Sequence, residues 1–153
     1  MDNKILIEQS QHWEKSFSSK PEMFGSEPSH SAKIALENFK KNNVKHIIEL
    51  GAGLGRDTIF FAKNSIKVTA LDYSPTAVEI IKNKSNSLGL SDLIEVQTHD
   101  LRQKLNFADN SFEGCYSHML YCMAFTYPEL ENLNNEIFSC LLYTSPSPRD
   151  KHR

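Results

Sequence analysis

The sequence predicts an α/β fold in which helices cover both faces of a parallel, doubly wound sheet. Short apolar runs, which are typical of buried parallel strands, alternate with stretches of helical spacing from residue 44 onwards. Two further helical segments precede this alternation, and the order of elements favours right-handed crossovers between parallel strands. The 153 residues, 39% of them hydrophobic, are enough for one domain with a sizeable core.

The composition argues against several classes of protein. The formal net charge of −2 disfavours a strongly basic protein that binds nucleic acid. No apolar stretch approaches the ~18 to 20 residues of a membrane-spanning helix, and residues 1–11 lack the regions of a signal peptide. Three cysteines form no disulfide framework, so we expect the protein to work in a reducing cytoplasm.

Local patterns predict each element in turn. Helices are expected at residues 4–17 and after an N-cap at Ser29 or Ser31, with a Pro- and Gly-containing loop between them. Strands are expected at 44–50, 66–71, 93–98 and 112–118, and helices at 56–63, from Ser74-Pro75 to Gly89, and at 128–139. A complete doubly wound sheet has about six strands. The sheet is therefore predicted to be incomplete, with about four.

The C-terminal stretch differs from the rest of the chain. Residues 140–153 contain two Ser-Pro pairs, which interrupt a helical pattern. Residues 140–150 also resemble one reading frame of a transposase-type sequencing adapter. We therefore divide the chain into an N-terminal helix and cover loop (1–28), the N-terminal part of the main domain (29–139) and a non-native tail (140–153). On this division we expect the 153-residue chain to be a fragment that is itself inactive.

Residues 49–56, Glu-Leu-Gly-Ala-Gly-Leu-Gly-Arg, join a predicted strand to a predicted helix. Glycines allow the backbone to approach a ligand closely, and ligands of open α/β sheets bind at the carboxyl ends of strands. The dinucleotide motif G-x-G-x-x-G is not matched, because the third glycine comes one position early and Arg56 occupies the position of a small residue. Glu49 would also lie unfavourably close to a pyrophosphate.

Carboxylates stand at the ends of three successive predicted strands: Glu49, Asp72 and Asp100. Asp72 follows Gly51 by 21 residues, which suits a hydrogen bond to ribose hydroxyls. Three acids without a phosphate-binding loop favour a cationic nucleoside such as S-adenosylmethionine. A NAD-dependent Rossmann oxidoreductase and a non-catalytic nucleoside-binding module are the alternatives.

Four segments together resemble the class I S-adenosylmethionine-dependent methyltransferases, whose fold is Rossmann-like: 49–55, 68–75, 99–101 and 107–113. The resemblance covers roughly residues 30–139. It implies a methyltransferase that uses S-adenosylmethionine and acts on a small-molecule acceptor, without a nucleic-acid or membrane partner. Gly55-Arg56-Asp57 and Trp13 are most similar to the tellurite-resistance and thiopurine-methyltransferase types, although Trp13 is also well suited to a packing role.

The resemblance implies that nine residues bind the cofactor: Glu49, Gly51, Ala52, Gly53, Asp72, Tyr73, Asp100, Leu101 and Ser117. The glycine loop would contact the methionine part, and Glu49 would hold the loop or meet the ammonium group. Asp72 would bind the ribose, Tyr73 would pack on the adenine, and Asp100 would bond the adenine amino group beside Leu101.

On the acceptor side, Ser117 and His118 would face the sulfonium and the acceptor. His118 is the candidate general base, with Tyr116 and Tyr121 as further candidates. Cys115, His118 and Cys122 do not have the spacing of a zinc site, so no metal is predicted.

Overall fold

The computed structural model describes residues 3–20, 25–118, 120 and 125–141. Within these ranges the elements are α1 (Asn3–Ser19), α2 (His30–Lys41), β1 (His46–Leu50), α3 (Arg56–Lys63), β2 (Lys67–Asp72), α4 (Pro75–Ser87), β3 (Ile94–Thr98), β4 (Gly114–Ser117) and α5 (Tyr127–Cys140). The predicted order of elements is confirmed, with boundaries that differ by a few residues.

The strands form one parallel sheet in the order β3-β2-β1-β4. Leu50 is in register with Leu71 on one side and with Ser117 on the other. The strands therefore end at a common edge. The chain runs outward from β1 to β3 and then returns to the other side of β1, and such a reversal point is where open α/β sheets bind ligands.

Helices cover both faces of the sheet, which confirms the predicted doubly wound α/β architecture with four strands. On one face, residues of α2, α3 and α4 pack against β1 and β2. On the other face, α5 packs through Leu133 and Ile137. Ile47 and Ile48 are adjacent in β1 and fully buried on opposite faces, as expected of a parallel strand that helices cover on both sides.

Two predicted N-caps determine where helices start on the first face. Ser29, and not Ser31, caps α2 by accepting a hydrogen bond from the Ala32 amide. Ser74 caps α4, and Pro75 follows in its first turn. Gly89 lies just beyond α4 with a φ of +68°, as predicted for a helix stop. The spacing of Ala77, Val78, Ile81 and Leu88 predicts an apolar stripe on α4, but Leu88 is the C-cap residue and is half exposed.

The predicted tail begins inside an element of the fold. Cys140 is the last residue of α5, and its side chain is buried in the core cluster of that face. Its carbonyl accepts a hydrogen bond from the Phe112 amide (2.9 Å), and Leu141 forms an isolated parallel bridge with Phe112. The remaining residues of that tail, 142–153, lie outside the described residues. Among the described helices, none is long and apolar enough to cross a membrane.

Candidate functional site

A cavity of about 820 Å³ opens at the carboxyl ends of the strands. Its walls come from the ends of β1, β2 and β4, the loops that follow β1 and β3, and one side of α1. The volume lies in the upper part of the ~300–1,000 Å³ range of small-molecule sites. The site therefore lies where the sheet topology predicts a ligand.

The glycine loop between β1 and α3 forms the centre of the cavity wall. Gly51, Gly53 and Gly55 have φ values of +73°, +57° and +84°, which side chains with a Cβ atom rarely adopt. A Cβ atom at Gly51 would lie 3.2 Å from Leu120 Cδ1, and one at Gly55 would lie 2.7 Å from Ile81 Cγ1. The glycines thus permit both the turn and its close packing.

Asp72 connects the glycine loop to the start of α4. Its carboxylate accepts hydrogen bonds from the amides of Gly53 (2.8 Å) and Ser74 (2.9 Å). Burial raises the pKa of Asp72, and the two backbone hydrogen bonds act in the opposite direction. The neighbouring Tyr73 donates a hydrogen bond from its hydroxyl to the Gln9 carbonyl of α1 (3.4 Å), and burial raises its pKa.

Glu49 lies at the bottom of the cavity, with only 2% of its surface exposed. Desolvation raises its pKa to about 8, with smaller contributions from the charges of Asp57 and Asp72, while a hydrogen bond from Thr58 opposes the shift. Glu49 is therefore largely protonated near neutral pH. The three predicted acids do border one cavity, but they do not present three full negative charges.

Asp100 forms an ion pair with Arg102, a residue that the sequence analysis did not identify. The Arg102 side chain donates to both carboxylate oxygens, with Nε–Oδ1 and Nη2–Oδ2 distances of 2.9 and 2.6 Å. Burial opposes ionisation of Asp100, but the hydrogen bonds and charge of Arg102 outweigh it and hold the pKa below its usual range. Both residues line the cavity, beside the mostly buried Leu101.

Helix α1 forms one wall of the cavity. Trp13 lines this wall and packs on Phe17, with ring centroids 5.5 Å apart, so it has the predicted packing role as well as a surface in the cavity. Glu14 accepts hydrogen bonds from the hydroxyls of Ser74 and Thr76 at the start of α4. Burial opposes ionisation of Glu14, but these hydrogen bonds outweigh it and lower its pKa. We call this interaction the Glu14 clasp.

A second polar cluster connects α2, α3 and β4. Asp57, in the first turn of α3, accepts hydrogen bonds from the Ser29 amide, the Ser29 hydroxyl and the Tyr116 hydroxyl, each at 2.8 Å. We call these residues the Ser29–Asp57–Tyr116 cluster. Asp57 and Tyr116 line the cavity. Burial raises the pKa of Tyr116, while the Ser29 hydrogen bond opposes the shift, so its phenol keeps its proton near neutral pH.

The structure brings eight of the nine predicted cofactor residues to the cavity: Glu49, Gly51, Ala52, Gly53, Asp72, Tyr73, Asp100 and Leu101. Ser117 is not among the lining residues, and its hydroxyl donates to the Leu50 carbonyl at 3.2 Å. His118, the candidate base, does line the cavity. The glycine motif and the strand-end acids thus predicted residues that border one cavity, and their binding roles stay predictions.

The remaining predictions on the acceptor side concern cysteines and Tyr121. Burial raises the pKa of the Cys115 thiol to about 12, which makes it a poor ligand or nucleophile. Tyr121 and Cys122 lie outside the described residues. Among the residues that the structure does describe, no group of three or more His, Cys, Asp or Glu side chains could hold a metal ion.

The chain is similar in sequence to known methyltransferases. The sequence model of the family described as "Methyltransferase domain" matches residues 47–142. The sterol 4-C-methyltransferase strm-1 of Caenorhabditis elegans is 28% identical over 92 residues, which are 60% of this chain and 26% of that protein. The release factor glutamine methyltransferase of Dictyoglomus turgidum is 29% identical over 100 residues, which are 64% of this chain and 36% of that protein. The matches thus span about a quarter to a third of these relatives.

Solved structures share the fold. Geranyl diphosphate methyltransferase in complex with S-adenosylmethionine matches with a TM-score of 0.63 at 14% identity, over 72% of this chain and 43% of that one. The (4+2)-cyclase SpnF matches with a TM-score of 0.68 at 16% identity, over 86% of this chain and 55% of that one. At these identities the likeness shows the fold alone, and the chemistry has to be argued from the site.

Proposed function

The chain belongs to the methyltransferase domain family, and we propose that its cavity binds S-adenosylmethionine for methyl transfer to a small-molecule acceptor in the cytoplasm. The observation that carries this proposal is the joint placement of the glycine loop and the Asp72 carboxylate on one cavity. Family membership supports methyl transfer over the NAD-dependent and non-catalytic alternatives, which receive no support from the relatives reported above.

The residues present fit this cofactor. Gly51 has no side chain, so its main chain borders the cavity directly, beside Leu120. A carboxylate can accept about four hydrogen bonds. Asp72 accepts one on each oxygen, from the amides of Gly53 and Ser74. It can therefore still accept hydrogen bonds from ribose hydroxyls. Tyr73 and Leu101 also line the cavity and would supply apolar surface for the base.

When bound, S-adenosylmethionine supplies a methyl group activated by its positively charged sulfur. The contribution of the protein is to hold the acceptor nucleophile in line with that group and to exclude water. Helix α1 forms one wall of the site, and the glycine loop together with the buried Asp72 would hold the cofactor end. The acceptor is then expected to lie between α1 and the end of β4, where His118 and Tyr116 line the wall.

A small molecule is favoured as the acceptor because α1 closes over one side of the cavity. The relatives include one enzyme named for a small molecule, the sterol methyltransferase, and one named for a protein, the release factor glutamine methyltransferase. A covered cavity with apolar walls agrees better with the first kind of acceptor. Nucleic acid is not expected, since the chain carries a net negative charge.

Binding of the full chain to S-adenosylhomocysteine and to NADH, measured by isothermal titration calorimetry, tests this function. We expect saturable binding of S-adenosylhomocysteine and none of NADH. Asp72→Asn should weaken the binding about 10- to 100-fold, because a hydrogen bond to a charged group contributes ~1.5–3 kcal/mol. Asp92→Asn, at an exposed position, is the matched control. Binding of NADH in preference to S-adenosylhomocysteine would refute the proposal.

A further inference from the structure

The walls of the cavity are mainly apolar. The side chains that face it from α1, from the glycine loop and from the segment after β4 share this character: Trp13, Phe17, Leu54, Leu120 and Phe125. Phe17, Leu54 and Leu120 are buried, and the other two are partly buried. Such walls favour a ligand with apolar surface, because burying that surface is the main source of its affinity.

The Ser29–Asp57–Tyr116 cluster interrupts these apolar walls with a buried polar group. The Tyr116 hydroxyl donates its proton to Asp57 Oδ2, and the Ser29 hydroxyl also lies 2.8 Å from that oxygen. The Tyr116 and Ser29 oxygens are 3.1 Å apart. Since a hydroxyl oxygen has two lone pairs, the Tyr116 oxygen can accept a further hydrogen bond even where Ser29 contributes one.

The cluster thus offers a ligand only hydrogen-bond acceptors, because its own donors already form hydrogen bonds within the cluster. Ser29 donates both its amide and its hydroxyl within the cluster, and the proton of Tyr116 is also used. A ligand group that meets this wall must itself be a donor. A carboxylate or phosphate at the same place would lie near the Asp57 carboxylate and could not donate a hydrogen bond to the cluster. Binding of such an anion there is therefore unfavourable.

We propose that the acceptor half of the cavity binds a small apolar hydroxyl compound, an alcohol or a phenol, whose O–H donates to the Tyr116 oxygen of the Ser29–Asp57–Tyr116 cluster. This inference rests on the proposed function, since the cofactor is taken to fill the half of the cavity around Asp72 and Tyr73. Tyr116 is then a specificity-determining residue, and Asp57 is a positioning residue that fixes the orientation of the Tyr116 hydroxyl.

Arg56 offers an alternative partner for the acceptor, because its positive charge favours an anion. It begins α3, directly before Asp57, and lines the same cavity. An anionic acceptor paired with Arg56 would reverse the predicted preference. The test therefore needs three probes of one ring system that differ in a single substituent: 1-naphthol, which can donate, 1-methoxynaphthalene, which cannot, and 1-naphthoate, which is an anion.

The experiment is calorimetric titration of each probe into the full chain that has first been saturated with S-adenosylhomocysteine. We expect 1-naphthol to bind about 3- to 10-fold more tightly than 1-methoxynaphthalene, as one neutral hydrogen bond implies. The anion 1-naphthoate should bind most weakly. Tyr116→Phe should remove the preference for naphthol over its methyl ether while leaving the affinity for S-adenosylhomocysteine unchanged. Tyr127→Phe, at a position that is 77% exposed, is the matched control and should behave as the unmodified chain.

Each outcome bears on one proposal. Failure of S-adenosylhomocysteine itself to bind would overturn the proposed function, and this inference with it. Normal binding of S-adenosylhomocysteine would leave the proposed function standing, and three results would then overturn the acceptor assignment alone. They are no binding of 1-naphthol, tighter binding of 1-naphthoate than of 1-naphthol, or an undiminished preference in Tyr116→Phe.

Discussion

Among single residues, Glu49 has the most unusual environment. It is buried beside Asp57 and Asp72, and its pKa is raised from 4.5 to about 8. Between these two values the folded chain keeps a proton on Glu49 that the unfolded chain has released. Stability rises with pH only where the unfolded state binds more protons, so Glu49 makes the protein less stable as the pH increases from about 4.5 to about 8.

Glu49→Gln should therefore reduce the loss of stability at alkaline pH. The amide is close in shape, can still accept the hydrogen bond from Thr58, and does not titrate. We expect the difference in Tm between pH 6 and pH 9 to be smaller in Glu49→Gln than in the unmodified chain, as measured by thermal melts followed by circular dichroism. Glu37→Gln, at an exposed position, should leave the difference unchanged. Equal pH dependence in all three proteins would contradict the raised pKa.

Two glycines allow the effect of backbone strain to be separated from that of packing. Gly55 and Gly89 both have positive φ, but only Gly55 has a neighbour where a Cβ atom would lie, at 2.7 Å from Ile81 Cγ1. An alanine costs about 1–2 kcal/mol for the left-handed conformation at either position. At Gly55 it costs a further ~1–3 kcal/mol for overpacking.

Urea denaturation of Gly55→Ala and Gly89→Ala measures this difference directly. We expect the free energy of unfolding to fall more in Gly55→Ala than in Gly89→Ala, with similar m-values in both. Equal losses would mean that Ile81 moves aside at little cost. The comparison concerns the packing between the glycine loop and α4, because Ile81 is fully buried in that helix.

At the scale of elements, the position of α1 depends on a few contacts with α4. The Glu14 clasp joins it to Ser74 and Thr76, and Phe17 and Trp13 pack with Leu54 beside α4. Since α1 supplies one wall of the cavity, the clasp is expected to affect ligand binding as well as stability.

Glu14→Ala should weaken the binding of S-adenosylhomocysteine several-fold, because loss of a cap or charged hydrogen bond costs about 1–2 kcal/mol, part of which is lost from the bound state. Trp13 is the only tryptophan of the chain, so its fluorescence reports the titration from within the cavity wall. Gln11→Ala, at an exposed position on the same helix, is the control. Unchanged affinity in Glu14→Ala would show that the clasp does not hold the cavity wall.

The elements themselves could largely be predicted from the sequence, because their signals are local. Ser74-Pro75 is an N-cap with a proline in the first turn, and Ile47, Ile48 and Leu50 place apolar side chains on both faces of the strand. The Glu14 clasp and the Ser29–Asp57–Tyr116 cluster were not predicted. Their partners are 28 to 87 residues apart in sequence, and no periodicity relates them. Ser117 was misplaced relative to the cavity because a four-residue strand end does not fix which side chain turns inward.

At the scale of the whole molecule, the fold limits where a ligand binds and leaves the chemistry open. The same sheet order brings Glu49, Asp72 and Asp100 to one edge because parallel strands in register end together. A methyltransferase and a (4+2)-cyclase nevertheless share this architecture. What distinguishes such proteins is the set of side chains around the cavity, and here these are the apolar wall and the Ser29–Asp57–Tyr116 cluster.

A ligand in this cavity would contact α1, the glycine loop and the end of β4 together. A ligand that binds only the folded state stabilises it by RT ln(1 + [L]/Kd), or about 2.7 kcal/mol at 100 times Kd. For a domain of this size, each kcal/mol raises Tm by about 2–4 °C. S-adenosylhomocysteine at 100 times its Kd should therefore raise the Tm of the full chain by about 5–10 °C, as measured by differential scanning calorimetry. The same concentration should stabilise Asp72→Asn much less, because its Kd is larger, and an equal rise in both proteins would place the ligand away from Asp72.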